Sequence, residues 1–232
     1  MIEDGKRILY KDGDGDIRQE PFNEVAASII AKNLGIRRVE YDLGTINGIT
    51  YSKCECMIDK NVEFVNAFIV KLEGEGKKDK YSEYIDICKD KGIADAREEI
   101  DKMIILDYVI RNTDRHVGNF GILRNSETLQ WERIAPIFDN GNSFWHKAQG
   151  IEFINGKSKS DSRSFLSTNE DNIKLTGNVE WFDKKKIYET DDEVRWIFSK
   201  NINLKEKWID KIMQEYHYRI EQLDHLLATR HM

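Results

Sequence analysis

The chain is poor in proline and cysteine and has no long apolar run, and each absence excludes a class of protein. Two prolines and three cysteines occur among its 232 residues. A membrane-spanning helix needs about 18 consecutive apolar residues, and no stretch of the sequence approaches that length. The N-terminal sequence MIEDGKRILYKDGDGD also lacks the apolar core of a signal peptide. We therefore expect a cytoplasmic protein that makes no membrane contact.

The few cysteines and histidines argue against disulfides and zinc. Cys54, Cys56 and Cys88 form neither a CxxC pair nor an even disulfide framework, so we expect free thiols. The five histidines show no HExxH or paired-ligand spacing, and the pattern therefore predicts no zinc site.

Charge is slightly acidic and spread along the chain. The 42 acidic and 36 basic residues give a net charge of −6, without a long basic tract, so direct nucleic-acid binding is not expected. The most acidic turn, DGDGD at 12–16, does not match a calcium-binding EF-hand loop. Counted from Asp12, the sixth position is Ile17 instead of Gly and the twelfth is Asn23 instead of Glu.

Three polar residues, Asp114, Asn119 and Asp139, have the spacing of a metal–nucleotide site for phosphoryl transfer. They lie in the segments DRHVGNFG (114–121) and IFDNG (137–141). Transfer of a γ-phosphoryl group needs a carboxylate that orients the acceptor hydroxyl and oxygen ligands that hold Mg²⁺. Protein kinases supply these groups from an Asp, four intervening residues and an Asn, followed by a strand pair and a second Asp beside a Gly.

Two strand-like runs, 120–124 and 132–138, separate Asn119 from Asp139. If these runs pair as a hairpin centred near Leu129, Asn119 and Asp139 lie opposite each other, about 5 Å apart, and can share a metal ion. Asn140 and Gly141 then permit a sharp exit from the hairpin. The alternative is an ordinary hairpin that carries exposed polar residues.

The segments DRHVGNFG and APIFDNG resemble those of the HipA-like Ser/Thr kinases, especially the compact CtkA-type branch, and DRHxxN is also similar to a motif of phosphatidylinositol kinases. Weaker similarity extends to 21–36, 162–175 and 219–227. The resemblance implies an α/β (α+β) protein-kinase-like fold of two lobes and an ATP- and Mg²⁺-dependent kinase that acts on protein Ser or Thr. In several members of the family the kinase is the toxin of a toxin–antitoxin pair.

The same resemblance implies roles for individual residues. Asp114 is the catalytic base or orienter, and Asn119 and Asp139 are the Mg²⁺ ligands. Lys11 contacts the ATP phosphates and pairs with Glu24, which lies beside the apolar stripe of a predicted helix. The alternative is that Glu24 is a first-turn acid stabilised by the helix dipole and that Lys11 is solvated.

Further assignments are open or rest on family analogy. His116 is either a catalytic residue that acts on phosphate or Asp114, or a side chain that holds the loop backbone. Lys6 is the alternative to Lys11, and 55–58 is the expected adenine-binding hinge. The serine-rich segment 157–164 is either a phosphorylated activation segment or a mobile polar loop. Asp107 shares an apolar stripe, and we expect a structural role there with donors from the catalytic-loop backbone.

Two units are predicted, a reduced N-lobe at 1–72 and a mainly helical C-lobe at 73–232. The N-lobe contains a strand that ends at Lys11, an amphipathic helix over 21–34, and short strands over 39–70 with a turn at Asn47-Gly48. The segment 73–80 reads as a loop between the units, because it carries nothing to bury.

The C-lobe is predicted from two apolar stripes at helical spacing, over 100–108 and 204–228. Asn203 and Glu206 suggest a capping box at the start of the second helix. The catalytic loop and the metal-binding hairpin lie between these two helices.

The sequence departs from the protein-kinase pattern at the phosphate loop. Only ten residues precede Lys11 and none form GxGxxG, while the DGDGD that follows is anionic. Three explanations are open: a reduced nucleotide lid, a piece supplied by a separate N-lobe-like polypeptide, or a chain that starts late. The alternatives to a protein kinase are a pseudokinase-type module that binds nucleotide or a partner, and a lipid or small-molecule kinase.

Overall fold

The computed structural model of the chain describes residues 1–74, 76, 78–177 and 179–229. Within them, two antiparallel sheets and eight α-helices form a mixed α/β fold. The elements are, in chain order, β1 (Ile2–Glu3), β2 (Lys6–Lys11), α1 (Glu20–Asn33), β3 (Tyr41–Ile46), β4 (Ile49–Glu55), β5 (Val62–Asn66), α2 (Ala67–Lys71), α3 (Lys80–Asp90), α4 (Ala96–Val109), β6 (Gly121–Asn125), β7 (Trp131–Ile134), a 3₁₀ turn (Ile151–Phe153), α5 (Asn169–Ile173), α6 (Lys184–Tyr188), α7 (Asp191–Ser199) and α8 (Glu206–Thr229).

The first sheet has the strand order β1-β2-β4-β3. β3 and β4 form a hairpin through Asn47 and Gly48, whose φ angles are 51° and 79°. Asn-Gly adopts this conformation readily in two-residue turns, and the predicted turn is confirmed. In β2, which pairs with β4, Leu9 and Lys11 are two residues apart and therefore project from the same face of the sheet.

Helix α1 packs against β3 and β4 through the apolar stripe that its sequence predicts. Pro21 lies in the first turn, where a missing N–H leaves no hydrogen bond unmade. Phe22, Val25 and Ile30 are buried. Gly35 follows the helix with a φ of 69°, the left-handed conformation that ends many helices.

The second sheet, β5-β6-β7, corrects the prediction of an N-terminal unit with strands over 39–70. β5 pairs with β6 and not with the first sheet, and Ala67–Lys71 is a helix. Local alternation of apolar residues marks a strand but does not identify its partner, which here lies about 60 positions further along the chain. The division at residue 72 stays a prediction, and the proposed connecting segment 73–80 includes residues 75 and 77, outside the described chain.

The β6–β7 hairpin is present, but its register differs from the predicted one. Ile122 pairs with Ile134, so the hairpin centre lies at 128 instead of 129, and β6 carries an irregularity in the pairing. β7 ends at Ile134. The prediction that Asn119 and Asp139 oppose each other within the ladder is therefore wrong, because Asp139 lies beyond the last pair.

Helix α8 buries the apolar stripe that was predicted: Ile209, Ile212, Met213, Tyr216, Ile220, Leu223 and Leu227. The helix begins at Glu206, so the predicted capping box is wrong, because Glu206 is the first helical residue and not the third. Arg219 is also fully buried on α8. Its guanidinium donates to the Tyr108 carbonyl oxygen at 2.8 Å and lies 3.1 Å from the Glu170 carboxylate. Neither α8 nor any other helix of the described chain has an apolar stretch that could cross a bilayer.

Candidate active site

The loop between α4 and β6 carries Asp114 and Asn119, and buried polar side chains hold its start. Asp107, in the last turn of α4, accepts from Arg115 Nε and Nη2, both at 3.0 Å, and from Asn112 Nδ2 at 3.0 Å. Asn112 Oδ1 in turn accepts the Asp114 amide N–H at 3.0 Å. Burial raises the pKa of Asp107, although the charge of Arg115 opposes the shift. The donors to Asp107 are thus side chains, not the loop backbone that the sequence pattern suggested.

Arg115 joins the catalytic loop to the segment that contains Asp139. Its buried guanidinium donates through Nη1 to the carbonyl oxygens of Asn119 and Phe138, at 2.9 and 2.6 Å. Nη2 donates to Asn140 Oδ1 at 2.6 Å. One arginine therefore brings the Asn119 and Asp139 regions together. The sequence does not predict this role, because the only feature that distinguishes Arg115 is its position in the DRH triplet.

Lys11 lies between two carboxylates. Its Nζ is 2.5 Å from Glu24 Oε1 and also pairs with Asp139 Oδ1. Glu24 is buried, whereas the side chains of Lys11 and Asp139 are 31% and 37% exposed, so solvent or a ligand can reach them. Burial lowers the pKa of Lys11, but the two carboxylates outweigh it and the pKa is raised overall. Lys6, the alternative lysine, pairs instead with the exposed Glu55 at 2.7 Å.

Helix α1 fixes Glu24 to the segment that follows Asp139. Glu24 Oε2 accepts the Asn140 amide N–H at 2.7 Å, and Asn23 Nδ2 donates to the Gly141 carbonyl oxygen at 2.7 Å. Burial raises the pKa of Glu24, against the opposing charge of Lys11. Asp139 has a φ of 58°, a left-handed conformation in which Asp and Asn are enriched among the non-glycine residues.

Asp114 is oriented by groups from outside its own loop. Its Oδ2 accepts from Asn142 Nδ2 at 2.7 Å, and its Oδ1 lies 3.5 Å from Nη1 of the exposed Arg163. Its carbonyl oxygen accepts from Asn119 Nδ2 at 3.3 Å. The Asp114 side chain is 30% exposed, so the carboxylate is both held and accessible. The sequence pattern identifies neither Asn142 nor Arg163, because only tertiary folding brings them to Asp114.

His116 contacts its own loop. Nδ1 of the ring accepts the Gly118 amide N–H at 3.0 Å. A Cβ at position 118 would lie 2.9 Å from the ring, so the contact depends on glycine there. The backbone of His116 also forms a parallel bridge with that of Arg163. This geometry agrees with the second interpretation of His116, in which its side chain holds the backbone of the loop. A catalytic role for His116 stays a prediction.

Three of the four serines in the segment 157–164 are buried. Ser160, Ser162 and Ser164 are at most 7% exposed, and the hydroxyls of Ser162 and Ser164 are hydrogen-bonded at 3.1 Å. The interpretation of a mobile polar loop is therefore wrong from Ser160 onward, because these side chains pack into the fold. Ser158 is exposed and is the serine of this group that offers an accessible hydroxyl.

Asn119 and Asp139 offer hard oxygen ligands that fit Mg²⁺. The Asn119 side chain contacts Asp114 through Nδ2. Its Oδ1 accepts no hydrogen bond from the described residues and is available to a cation. Mg²⁺ is commonly bound by one or two carboxylates together with phosphates and water. Across the described ranges, no group of three or more His, Cys, Asp and Glu residues is arranged as an all-protein metal site. The pair suits a cation that is shared with a bound phosphate chain.

The site as a whole converges from four parts of the chain: β2, α1, the loop after α4 and the segment after β7. It combines an accessible lysine, an oriented carboxylate and two oxygen ligands. Such a set can hold a phosphate chain and orient a hydroxyl towards it.

Comparisons with known proteins agree on one family. A family model described as the HipA-like C-terminal domain matches residues 2–222. The curated serine/threonine-protein kinase CtkA of Helicobacter pylori strain J99 is 27% identical over 138 residues, which cover 56% of this chain and 42% of the relative. The matched region thus spans less than half of that relative's length.

Solved structures show the fold. The crystal structure of the H. pylori proinflammatory kinase CtkA matches with a TM-score of 0.74 at 20% identity, and the match covers 100% of this chain and 94% of the other. The fold is therefore kinase-like. HipA from the Shewanella oneidensis MR-1 toxin–antitoxin complex with HipB and operator DNA matches with a TM-score of 0.49 at 11% identity, over 90% of this chain and 57% of the other, a similarity too low to support an argument.

Proposed function

The chain belongs to the HipA-like C-terminal domain family, and from this premise we propose that it transfers the γ-phosphoryl group of ATP, with Mg²⁺, to a Ser or Thr hydroxyl of a protein. The contact of Lys11 with both Glu24 and Asp139 carries this proposal. A buried Glu that holds an accessible Lys beside a potential metal ligand is the arrangement that protein kinases use for phosphoryl transfer from ATP.

Each residue of the set has one task in the proposed reaction. Lys11, held by Glu24, contacts the phosphates of ATP. The Asp114 carboxylate, whose rotamer is fixed by Asn142, orients the acceptor hydroxyl and takes its proton as the oxygen bonds to the γ-phosphorus and ADP leaves. Asn119 and Asp139 would hold Mg²⁺, which when bound neutralises charge on the phosphates.

The nucleotide base would lie against the first sheet. Leu9 is 51% exposed and projects from the same face of β2 as Lys11, two residues away. An exposed apolar side chain in that position offers a surface for a planar base. The segment 55–58, directly after β4, is the proposed hinge. The assignment of 1–72 as a reduced N-lobe without GxGxxG and of 73–232 as a helical C-lobe is part of the same proposal.

A protein partner is included in the proposal, either a separate N-lobe-like chain or an antitoxin. β1 pairs with β2 at Lys6 and Arg7, and Met1 exchanges backbone hydrogen bonds with Ile8. Among the described residues, the outer edge of β2 beyond Ile8 has no strand beside it. An exposed edge can accept a strand from another chain. A role as a toxin-antitoxin component belongs to this part of the proposal.

A module that binds nucleotide or a partner without transfer is the second candidate. The anionic turn 12–16 directly follows Lys11 and favours it, because carboxylates near the phosphate contact repel ATP.

Labelled substrates separate these functions. The chain is incubated with γ-labelled ATP and Mg²⁺ in the presence of a Ser/Thr peptide pool or of phosphoinositide vesicles. Label in peptides supports the proposal, and label in lipid alone replaces it with a lipid kinase. Mg²⁺-dependent ATP binding by calorimetry without any transfer would favour the binding module.

A further inference from the structure

A cavity of about 330 Å³ lies beside the loop that carries Asp114. Its lining includes Arg111, Thr113, Trp145, His146, Lys147 and Gln149. The lining contains two basic side chains and no acidic one among the described residues. It is separate from Lys11, Asn119 and Asp139, which do not line it.

The cavity is tied to the position of Asp114. Thr113 precedes Asp114 directly, and its hydroxyl donates to the Asn142 carbonyl oxygen at 3.2 Å. Asn142 is also the residue whose side chain holds the Asp114 carboxylate. His146 is close enough for the charge of Asp114 to act on its ring. A group bound in the cavity would therefore be held next to the hydroxyl that Asp114 orients.

Arg111 is a half-buried cation whose side chain has no hydrogen-bonded or ion-paired partner among the described residues. Its guanidinium stacks over the Trp145 ring at 5.4 Å, and its Nε is buried with no hydrogen-bond partner. Within the described residues it forms no ion pair. The carboxylates of Glu170 and Asp161 are near enough to favour its charge. Glu170 is 3.1 Å from Arg219 and paired with it, and Asp161 is exposed. Burial lowers the pKa of Arg111 to about 10, so the side chain is still charged at neutral pH.

His146 adds a second unsatisfied group. Its Nε2 is buried without a hydrogen-bond partner. Burial lowers the pKa of His146 to about 4, so the ring is neutral at pH 7 and can donate one N–H. Arg111 and His146 both line the same cavity.

A partly desolvated charge without a counter-ion lowers stability unless a ligand compensates for it. The buried Arg115 and Arg219 are each paired with a carboxylate in this fold, and Arg111 is not. Its φ of 55° belongs to the turn that ends α4, a position at which left-handed residues are common. Two residues that each carry a nitrogen without a hydrogen-bond partner, both in the lining of one cavity beside Asp114, indicate a ligand that supplies the missing anion.

We propose that this cavity binds an anionic side chain of the protein substrate, a carboxylate or a phosphate, close in sequence to the acceptor Ser or Thr. The guanidinium of Arg111 offers a fork of donors that matches either anion, and His146 and Lys147 complete the site. The kinase thereby selects acceptors that are flanked by acidic or already phosphorylated residues. The choice of acceptor rests on the proposed function, whereas anion binding by the cavity does not.

Binding is tested without catalysis. Capped Ala-X-Ala peptides, with X as phosphoserine, Glu or Gln, are added to the chain labelled with ¹⁵N-arginine, and the Nε–Hε resonances are recorded. We expect one resonance, missing in Arg111→Lys, to shift with the phosphoserine and Glu peptides but not with the Gln peptide. The relative shifts at equal concentration show which anion the cavity prefers. No shift of that resonance with either anionic peptide would overturn the proposal.

Arg97 provides a matched control, because it also stacks on an aromatic ring, that of Tyr81 at 5.3 Å. Arg97→Gln should leave the peptide-induced shift unchanged. Arg111→Gln should not lower the midpoint of urea unfolding, since a charge without a counter-ion is removed. A lower midpoint for Arg111→Gln would show a structural role and count against the proposal.

If transfer to peptides is observed, a positional peptide library gives the functional result. We expect wild type to prefer an acidic residue at one position near the acceptor by about tenfold, the effect of one charge-assisted hydrogen-bonded pair. Arg111→Gln should remove this preference, and an unchanged preference in the variant would contradict the proposal. Peptide binding without transfer would instead count against the kinase function and leave the anion site intact.

Discussion

The arginine side chains around the site differ in how they are paired. The pairing determines whether each arginine holds the fold together or has a charge that is free to bind a ligand. Arg115 donates to the Asp107 carboxylate and to three further acceptors, so it holds the catalytic loop in place. Arg219 is likewise paired with Glu170. Arg111 is half-buried, and its Nε has no hydrogen-bond partner among the described residues. The first two have structural roles, and Arg111 is the residue whose charge we propose is available to a ligand.

Removal of Arg115 should destabilise the fold strongly. Arg115→Met leaves the buried Asp107 carboxylate without its main partner, and we expect a loss of about 3–5 kcal/mol, the usual effect of breaking a buried ion pair. The exposed Arg195, which lies 2.5 Å from Asp210, is the control, and Arg195→Met should cost less than about 1 kcal/mol. Urea denaturation measures both. Equal losses in the two variants would contradict a structural role for Arg115.

His146 should make stability depend on pH in the acid range. Its pKa is lowered from 6.5 to about 4 in the folded chain, so between these values the unfolded chain binds a proton that the folded chain does not. Stability is therefore lost as pH falls through this window. Between pH 6.5 and 4, wild type should lose on the order of 2–3 kcal/mol more than His146→Gln. Urea denaturation at several pH values tests this, and parallel curves for the two proteins would refute it.

The strand pairing β5–β6 positions Asn119, because β6 begins two residues after it. Gly121 allows this pairing, since a Cβ there would meet the Val65 carbonyl oxygen at 2.1 Å. Gly121→Ala should therefore lower the free energy of unfolding by about 2–4 kcal/mol. At Gly177 the nearest atom to an added Cβ is 3.5 Å away. Gly177→Ala should therefore change the free energy of unfolding by less than about 1 kcal/mol. Both free energies are measured by chemical denaturation. Similar losses in the two variants would show that the close approach of Gly121 to Val65 does not require glycine.

Elements with a strong local pattern were predictable. The spacing of apolar residues in α1 and α8 gives their buried faces, and Asn-Gly gives the β3–β4 turn. The partner of β5 was not predictable, because strand pairing over a long sequence separation depends on the whole fold. The start of α8 was misplaced because Asn203 and Glu206 have capping-box spacing although Glu206 is the first helical residue.

The site shows the same division between local spacing and tertiary structure. The spacing of Asp114 and Asn119 is local, so the sequence alone was sufficient to propose a catalytic loop. The contact that brings Asn119 to Asp139 depends on Arg115, and the orientation of Asp114 depends on Asn142. Buried polar contacts of this kind join segments that are distant in sequence, so no periodicity or short motif predicts them.

At the scale of the whole molecule, the proposed site joins the two sheets. Lys11 in β2 contacts Asp139, 128 positions later, beyond the second sheet. A nucleotide that binds to both parts should stabilise the entire fold. At 100 times its dissociation constant, a non-hydrolysable ATP analogue with Mg²⁺ should add about 2.7 kcal/mol, or roughly 5–10 °C in Tm.

Thermal unfolding with the analogue, with and without Mg²⁺, checks this effect. Asp139→Asn should remove the Mg²⁺-dependent part of the shift, because one of the two oxygen ligands loses its charge. Asp210→Asn, on the exposed face of α8, should behave like wild type. A Mg²⁺-dependent shift that survives in Asp139→Asn would place the cation elsewhere.

The most direct test of the phosphoryl-transfer claim is the rate at which label from γ-labelled ATP enters Ser or Thr of a protein or peptide acceptor, with Mg²⁺ present. Wild type is compared with Asp114→Asn, which preserves the shape of the side chain but cannot accept the hydroxyl proton. Transfer by wild type, with a rate at least about 10²-fold lower in Asp114→Asn, is the expected result. Equal rates in the two proteins, or no transfer by wild type while it binds ATP and Mg²⁺, would contradict the account.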